Sequence, residues 1–105
     1  MDNFKIIYRI LKELEKNMGN EQFSVCSISA DAMKISYNRW EQLLIMMQDE
    51  GYIKGLVIAK SLEDKYRHIV EPINPEITIK GLEYLESNSF MAKAKEVLKM
   101  AGEIL

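Results

Sequence analysis

The sequence predicts an α+β fold, mostly α, in the order three helices, a β-hairpin, then further helix. Three observations carry this expectation. Apolar residues recur at steps of three and four from Phe4 to Met18 and again from Tyr37 to Met47. Between Tyr52 and Val70, β-branched and aromatic residues flank a polar tip, as in a hairpin. After Pro72 and Pro75 the helical period returns and runs to the last residues.

A first helix over 3–18 carries Phe4, Ile7, Ile10, Leu11, Leu14 and Met18 on one face. Asp2 or Asn3 can cap it by accepting a bond from a free backbone N–H, and Gly19 can close it in a left-handed conformation. Lys5, Arg9, Lys12 and Lys16 form a basic stripe on the opposite face, flanked by Glu13 and Glu15. Asn17 to Gln22 reads as a loop. Phe23 to Cys26 fits a short extended piece, whereas Val25, Ile28, Ala32 and Ile35 fit the spacing of a short helix capped by Ser24, placed over 25–33. The absence of β-branched residues from Ala30 to Met33 favours the helix.

Ser36 is the expected N-cap of a third helix over 36–50, stopped by Gly51. Trp40, Leu43, Leu44 and Met47 share its inner face, while Asn38, Gln42, Ile45 and Asp49 point the other way, beside Arg39, Glu41 and Met46. Helix, tight turn and helix make a helix-turn-helix pattern. The hairpin over 52–71 has a tip of about five residues, Ser61 to Lys65. Thr78 can cap a helix over 78–87. Gly81 in its first turns weakens it by about 1 kcal/mol relative to Ala, which points to close approach of another backbone. A last helix over 89–103 follows, with Phe90, Met91, Ala94, Val97, Leu98, Ala101, Ile104 and Leu105 on one wide apolar face.

This order is that of a winged helix-turn-helix with a C-terminal helical extension, forming one domain over 1–105. Asp49-Glu50-Gly51-Tyr52-Ile53 resembles the exit of the third helix in winged-helix proteins, and Ile77 to Leu85, with Thr78 and Gly81, resembles the strand exit that follows the wing. From Phe4 to about Ala101 the chain resembles the YjcQ-like family of small winged-helix proteins from Gram-positive bacteria and their prophages. The resemblance implies the fold, and DNA binding follows from that fold by analogy.

Composition narrows the functional classes. At 48% apolar and 29% charged residues, a buried core is expected, and a net charge of -2 gives no general attraction to nucleic acid or acidic membranes. One cysteine, Cys26, excludes an intrachain disulfide and a multi-cysteine metal site, and it reads as a small buried hydrophobe. No apolar run approaches the roughly 20 residues of a membrane span, and Met1-Asp2-Asn3-Phe4 does not open like a signal peptide, so a cytoplasmic protein is expected. His68 is the one histidine and has no evident orienting partner, and the five glycines are dispersed, so neither catalysis nor a phosphate loop is expected, and no metal or cofactor.

Double-stranded DNA is the expected partner, with the third helix in the major groove, about 12 Å wide. Asn38, Arg39 and Gln42 are the candidates for base edges, Ser36 and Tyr37 for a phosphate at the helix start, and Lys60, Lys65, Arg67 and His68 for the backbone beside the wing. Charge opposes this reading. Between 31 and 71 the six cations Lys34, Arg39, Lys54, Lys60, Lys65 and Arg67 meet seven anions, Asp31, Glu41, Asp49, Glu50, Glu63, Asp64 and Glu71. The alternative is a protein-interaction module acting through the third helix, where Ile45 and Met46 face outward, or through the tail. Val97, Leu98, Ile104 and Leu105 are the expected contacts of a homodimer.

Overall fold

A computed structural model describes residues 2–88. Within them the chain is α+β and mostly α, in an order consistent with a winged-helix-like fold. The expected last helix over 89–103, and with it Val97, Leu98, Ile104 and Leu105, lies outside the described residues.

Helix α1 spans Asn3–Lys16, two residues shorter than expected, and Asp2 caps it by accepting from the Lys5 backbone N–H at 2.9 Å. Its buried ridge is Ile6, Ile10, Leu11 and Leu14. Phe4 and Met18, expected on that face, are exposed instead, while α3, the turn at Val25–Ile28 and the strand at Glu76–Ile77 pack against α1. The expected helix over 25–33 is divided. A 3-10 turn, Val25–Ile28, is capped by Ser24, and Ser29 restarts the chain as α2, Ala30–Met33. Cys26 on that turn is exposed, so the expectation of a buried thiol does not hold; Ile28 fills the core from there.

Lys34 adopts the left-handed conformation (φ 58°) that turns the chain into α3, Tyr37–Asp49, which Ser36 caps through a 3.2 Å bond from the Arg39 N–H. Trp40 is buried and donates Nε1–H to the Ile28 carbonyl at 2.7 Å, tying α3 to the 3-10 turn and satisfying its own polar atom. Ile45 is also fully buried, although the helical wheel places it outward.

The hairpin begins later than the composition suggests. Ile53–Lys54 (β1) pairs with Glu76–Ile77 (β4), beyond both prolines, while Val57–Ala59 (β2) pairs with His68–Val70 (β3). Gly55 separates β1 from β2 at φ 95°, a region that favours glycine, with space for a side chain limited by the Asn74 carbonyl 3.0 Å away. The wing is therefore a shorter ladder with a longer tip, residues 60–67.

Residues 79–88 are helical (α4). Gly81 has the tight packing its composition suggested: a Cβ there would lie 2.3 Å from the Tyr52 carbonyl oxygen and 2.7 Å from Ile77 Cγ1. Thr78 accepts from the Gly81 N–H at 3.1 Å and donates to the Gly51 carbonyl, and Lys80 Nζ reaches the Glu50 carbonyl at 2.6 Å. The start of α4 thus caps the free carbonyls at the end of α3.

Candidate nucleic-acid interface

The face is built by α3 and the wing strand β3 lying against it. Strand alternation buries Ile69 between exposed His68 and Val70, and α3 answers with Ile45. Around this small apolar contact the bonds are polar. Glu41, 2% exposed, presents Oε1 to His68 Nδ1 at 2.8 Å and accepts the Ile69 backbone N–H on Oε2 at 2.9 Å. Gln42 Nε2 donates to the Arg67 carbonyl at 3.0 Å. Two turns further on, Asp49 receives both arms of the Arg67 guanidinium, Nη2 to Oδ2 at 2.6 Å and Nη1 to Oδ1 at 3.2 Å. Gln48 closes the base of the wing, accepting from Leu56 N–H at 2.8 Å and donating to its carbonyl at 3.0 Å.

The candidate residues divide accordingly. Gln42, Arg67 and His68 join the wing to α3, and Ser36 is an N-cap. Asn38 and Arg39 are exposed on the first turn of α3, where Arg39 Nε and Nη2 donate to Asn3 Oδ1 at 2.9 and 2.6 Å, so the start of α1 orients the guanidinium. Tyr37 is half-exposed, with its ring centroid 5.4 Å from that of Trp40. Lys60 and Lys65 are exposed on the tip, Lys65 with its Nζ 5.4 Å from the centre of the Tyr66 ring. The structure thus leaves two groups toward solvent, one at the start of α3 and one at the wing tip.

Electrostatics follow the geometry. The Arg67 fork holds the Asp49 carboxyl below its ordinary value, and the same carboxylate holds the Arg67 guanidinium above its own. Partial burial, then the carboxylates of Glu41 and Glu71, raise the Tyr37 phenol. Bonds from Ser61 lower Asp64 at the tip, which stays anionic beside the lysines.

Glu41 is the residue that sequence reasoning missed. Its signal was Ile45 one turn away on a supposedly solvated face: an isoleucine there means something covers that face, and the carboxylate beside it must then find donors. Elsewhere, a cleft of 520 Å³ lies between the end of α1 and β4, floored by Leu14 and Phe23 and edged by Lys54 and Glu76. Among the described residues no three of His, Cys, Asp or Glu gather as a metal site requires, and no helix is long and apolar enough to cross a membrane.

The fold and this face define a small helix-and-hairpin domain whose polar residues join its own elements together. The chain belongs to the YjcQ protein family, whose profile matches residues 8–104 and bears out the resemblance read from the sequence. It is 28% identical over 99 residues, covering 94% of this chain and 93% of the relative, to the Bacillus subtilis (strain 168) protein named "Uncharacterized protein YjcQ". No solved structure matches it.

Proposed function

We propose that the protein is a winged-helix module that binds duplex DNA and acts by occupancy, without chemistry of its own, as a regulator or accessory factor. The observation that carries this reading is the bonding of β3 to α3 by Glu41 and Gln42. It sets a fixed offset between the exposed first turn of α3 and the lysines of the tip, as a reader of groove and flanking backbone requires. Asn38 and Arg39 then meet base edges, and Lys60 and Lys65 meet phosphates. Gln42, bonded to the Arg67 carbonyl, and His68, bonded to Glu41, contribute by holding the wing in place.

With few cations outward, binding is weak and mildly salt-dependent. Two phosphate contacts give a slope of log K against log salt near -2, since each contributes about -0.9. Fluorescence anisotropy with a mixed-sequence duplex tests this. Lys60→Ala with Lys65→Ala should flatten the slope by about 2. No binding at low salt by the folded protein refutes the proposal.

A second reading, a module that binds a protein, is favoured by the outer face of the wing. Val57 and Val70 pair across the ladder there and are both exposed, and Leu62 and Tyr66 lie exposed toward the tip. Retained partner binding in the double lysine variant, without any duplex binding by the parent, would select it. Pairing of two copies through Val97, Leu98, Ile104 and Leu105 belongs to either reading, and sedimentation of a chain ending at Asn88 tests it.

A further inference from the structure

We propose that Asp49 is an autoinhibitory counter-ion: it withholds Arg67 from the DNA backbone and so keeps the domain a weak electrostatic binder. The inference rests on the DNA-binding reading above and concerns the regulation of that same face. A guanidinium fork recognises two oxygens of a phosphate as it does two oxygens of a carboxylate, and Asp49 occupies both arms of Arg67 in that geometry. Any phosphate approaching the root of the wing must displace Asp49, and it also meets the Asp49 charge.

The alternative is that the pair is simply a strap for the wing. The bonding argues against it, because the strap is redundant. The backbone of β3 is held by Glu41 at Ile69 and by Gln42 at Arg67, the hairpin root is held by Gln48 at Leu56, and Ile69 is packed on α3. None of these bonds uses the Arg67 side chain. Both partners of the ion pair are 46% exposed, so water and ions reach it and the guanidinium can leave without the wing moving. A bidentate pair that the fold does not need, at the edge of the proposed DNA face, is where affinity for phosphate is adjusted.

The experiment compares salt slopes for one duplex across four proteins: the parent, Asp49→Asn, Arg67→Ala and the double variant. Asp49→Asn keeps the side-chain shape and should bind tighter by a few-fold, with a slope steeper by about 1, the increment of one added phosphate contact. Arg67→Ala alone should leave the slope of the parent unchanged, because that arginine is already withheld. The double variant should return to the parental slope, which assigns the increment to Arg67. Thermal melting of each variant checks that the wing is retained, and Asp49→Ser provides a second neutral replacement with the same expected slope. A parent that binds while Asp49→Asn leaves its slope unaltered overturns this inference alone, as does a slope lowered by about 1 in Arg67→Ala. Absence of binding by both the parent and Asp49→Asn at low salt overturns the DNA reading together with it.

Discussion

Replacing Glu41 by Ala removes the carboxylate that joins α3 to β3. Ile69 is 7% exposed, so its N–H, now 2.9 Å from Oε2, is left without an acceptor and with little access to water. An unsatisfied buried donor costs about 1–3 kcal/mol. The lost methylene adds about 0.8 kcal/mol of burial. His68, half-exposed, exchanges its bond for water at little cost. Relief of the buried carboxylate's desolvation acts the other way, so the net loss is about 2 kcal/mol. In a domain of this size that lowers the melting temperature by roughly 10 °C. Circular dichroism melting reads the total, and amide exchange at Ile69 locates it, because the wing should lose protection before the Ile10 and Leu44 core does. Glu41→Gln keeps one oxygen for the Ile69 N–H and should lose about half as much. In both variants the Tyr37 phenol should fall toward its ordinary value, because Glu41 is the strongest charged neighbour raising it, although burial, the largest cause, remains. An alanine variant within about 0.5 kcal/mol of the parent, a difference typical of ordinary surface substitutions, with Ile69 still protected, would show that the carboxylate does not hold the wing.

Two further outcomes follow from local geometry. Gly81→Ala gains about 1 kcal/mol of helix propensity, yet its methyl would fall 2.3 Å from the Tyr52 carbonyl oxygen. Overpacking of this kind costs about 1–3 kcal/mol and more against fixed backbone, so urea unfolding should show net destabilisation, and a raised midpoint would contradict the close approach. Asp49 has a lowered pKa in the folded chain, so its pairing with Arg67 favours folding above the unfolded value and loses that contribution as pH falls through the folded one. A carboxyl-carbon titration should place Asp49 below the ordinary aspartate value, and Arg67→Ala should raise it; equal values in the two proteins would dismiss the ion pair.

The parts of the fold that were legible in the sequence are those set by a few adjacent residues. Asp2, Ser24 and Ser36 announce helix starts because a side-chain oxygen two or three positions from an unpaired N–H is itself the stabilising contact. Gly81 announced a tight approach because nothing else justifies glycine in a first turn. The two segments that carried the family resemblance, Asp49 to Ile53 and Ile77 to Leu85, turn out to be halves of one joint, where the Tyr52 and Tyr84 rings meet at a tilt with centroids 5.0 Å apart and Thr78 and Lys80 cap α3. Pairings across distance were not legible. The partner of Ile53–Lys54 lies beyond Pro72 and Pro75, so the run from Tyr52 to Ile58 reads as one strand unless Gly55 is known to turn left-handed. The site was less legible than the fold for the same reason: residue types on α3 and on the wing were read separately, and their meaning lies in how they meet.

That meeting explains the charge balance that seemed to oppose DNA binding. A helical wheel allows α3 one buried side, but α3 is covered twice, by the core along Trp40, Leu44 and Met47 and by the wing along Glu41 and Ile45. The second cover is too small to hold by apolar area, since Ile69 is the one buried side chain β3 supplies. It holds by polar bonds to the β3 backbone, from Glu41 at the Ile69 N–H and Gln42 at the Arg67 carbonyl, with His68 bonded to the same Glu41. Glu41 is therefore counted wrongly when it is set against phosphate attraction, because it is buried and matched inside the domain, while Asp49 and Arg67 offset each other. What remains outward near the tip is Lys60 and Lys65 against Glu63 and Asp64, with the exposed stripe Lys5, Arg9, Lys12 and Lys16 on α1. Of that stripe, Lys12 is drawn to Glu15 at 3.0 Å. Attraction to a polyanion must then come from two separated patches, which is why removing the tip lysines should change the salt slope without unfolding the wing, whereas removing Glu41 should unfold the wing first.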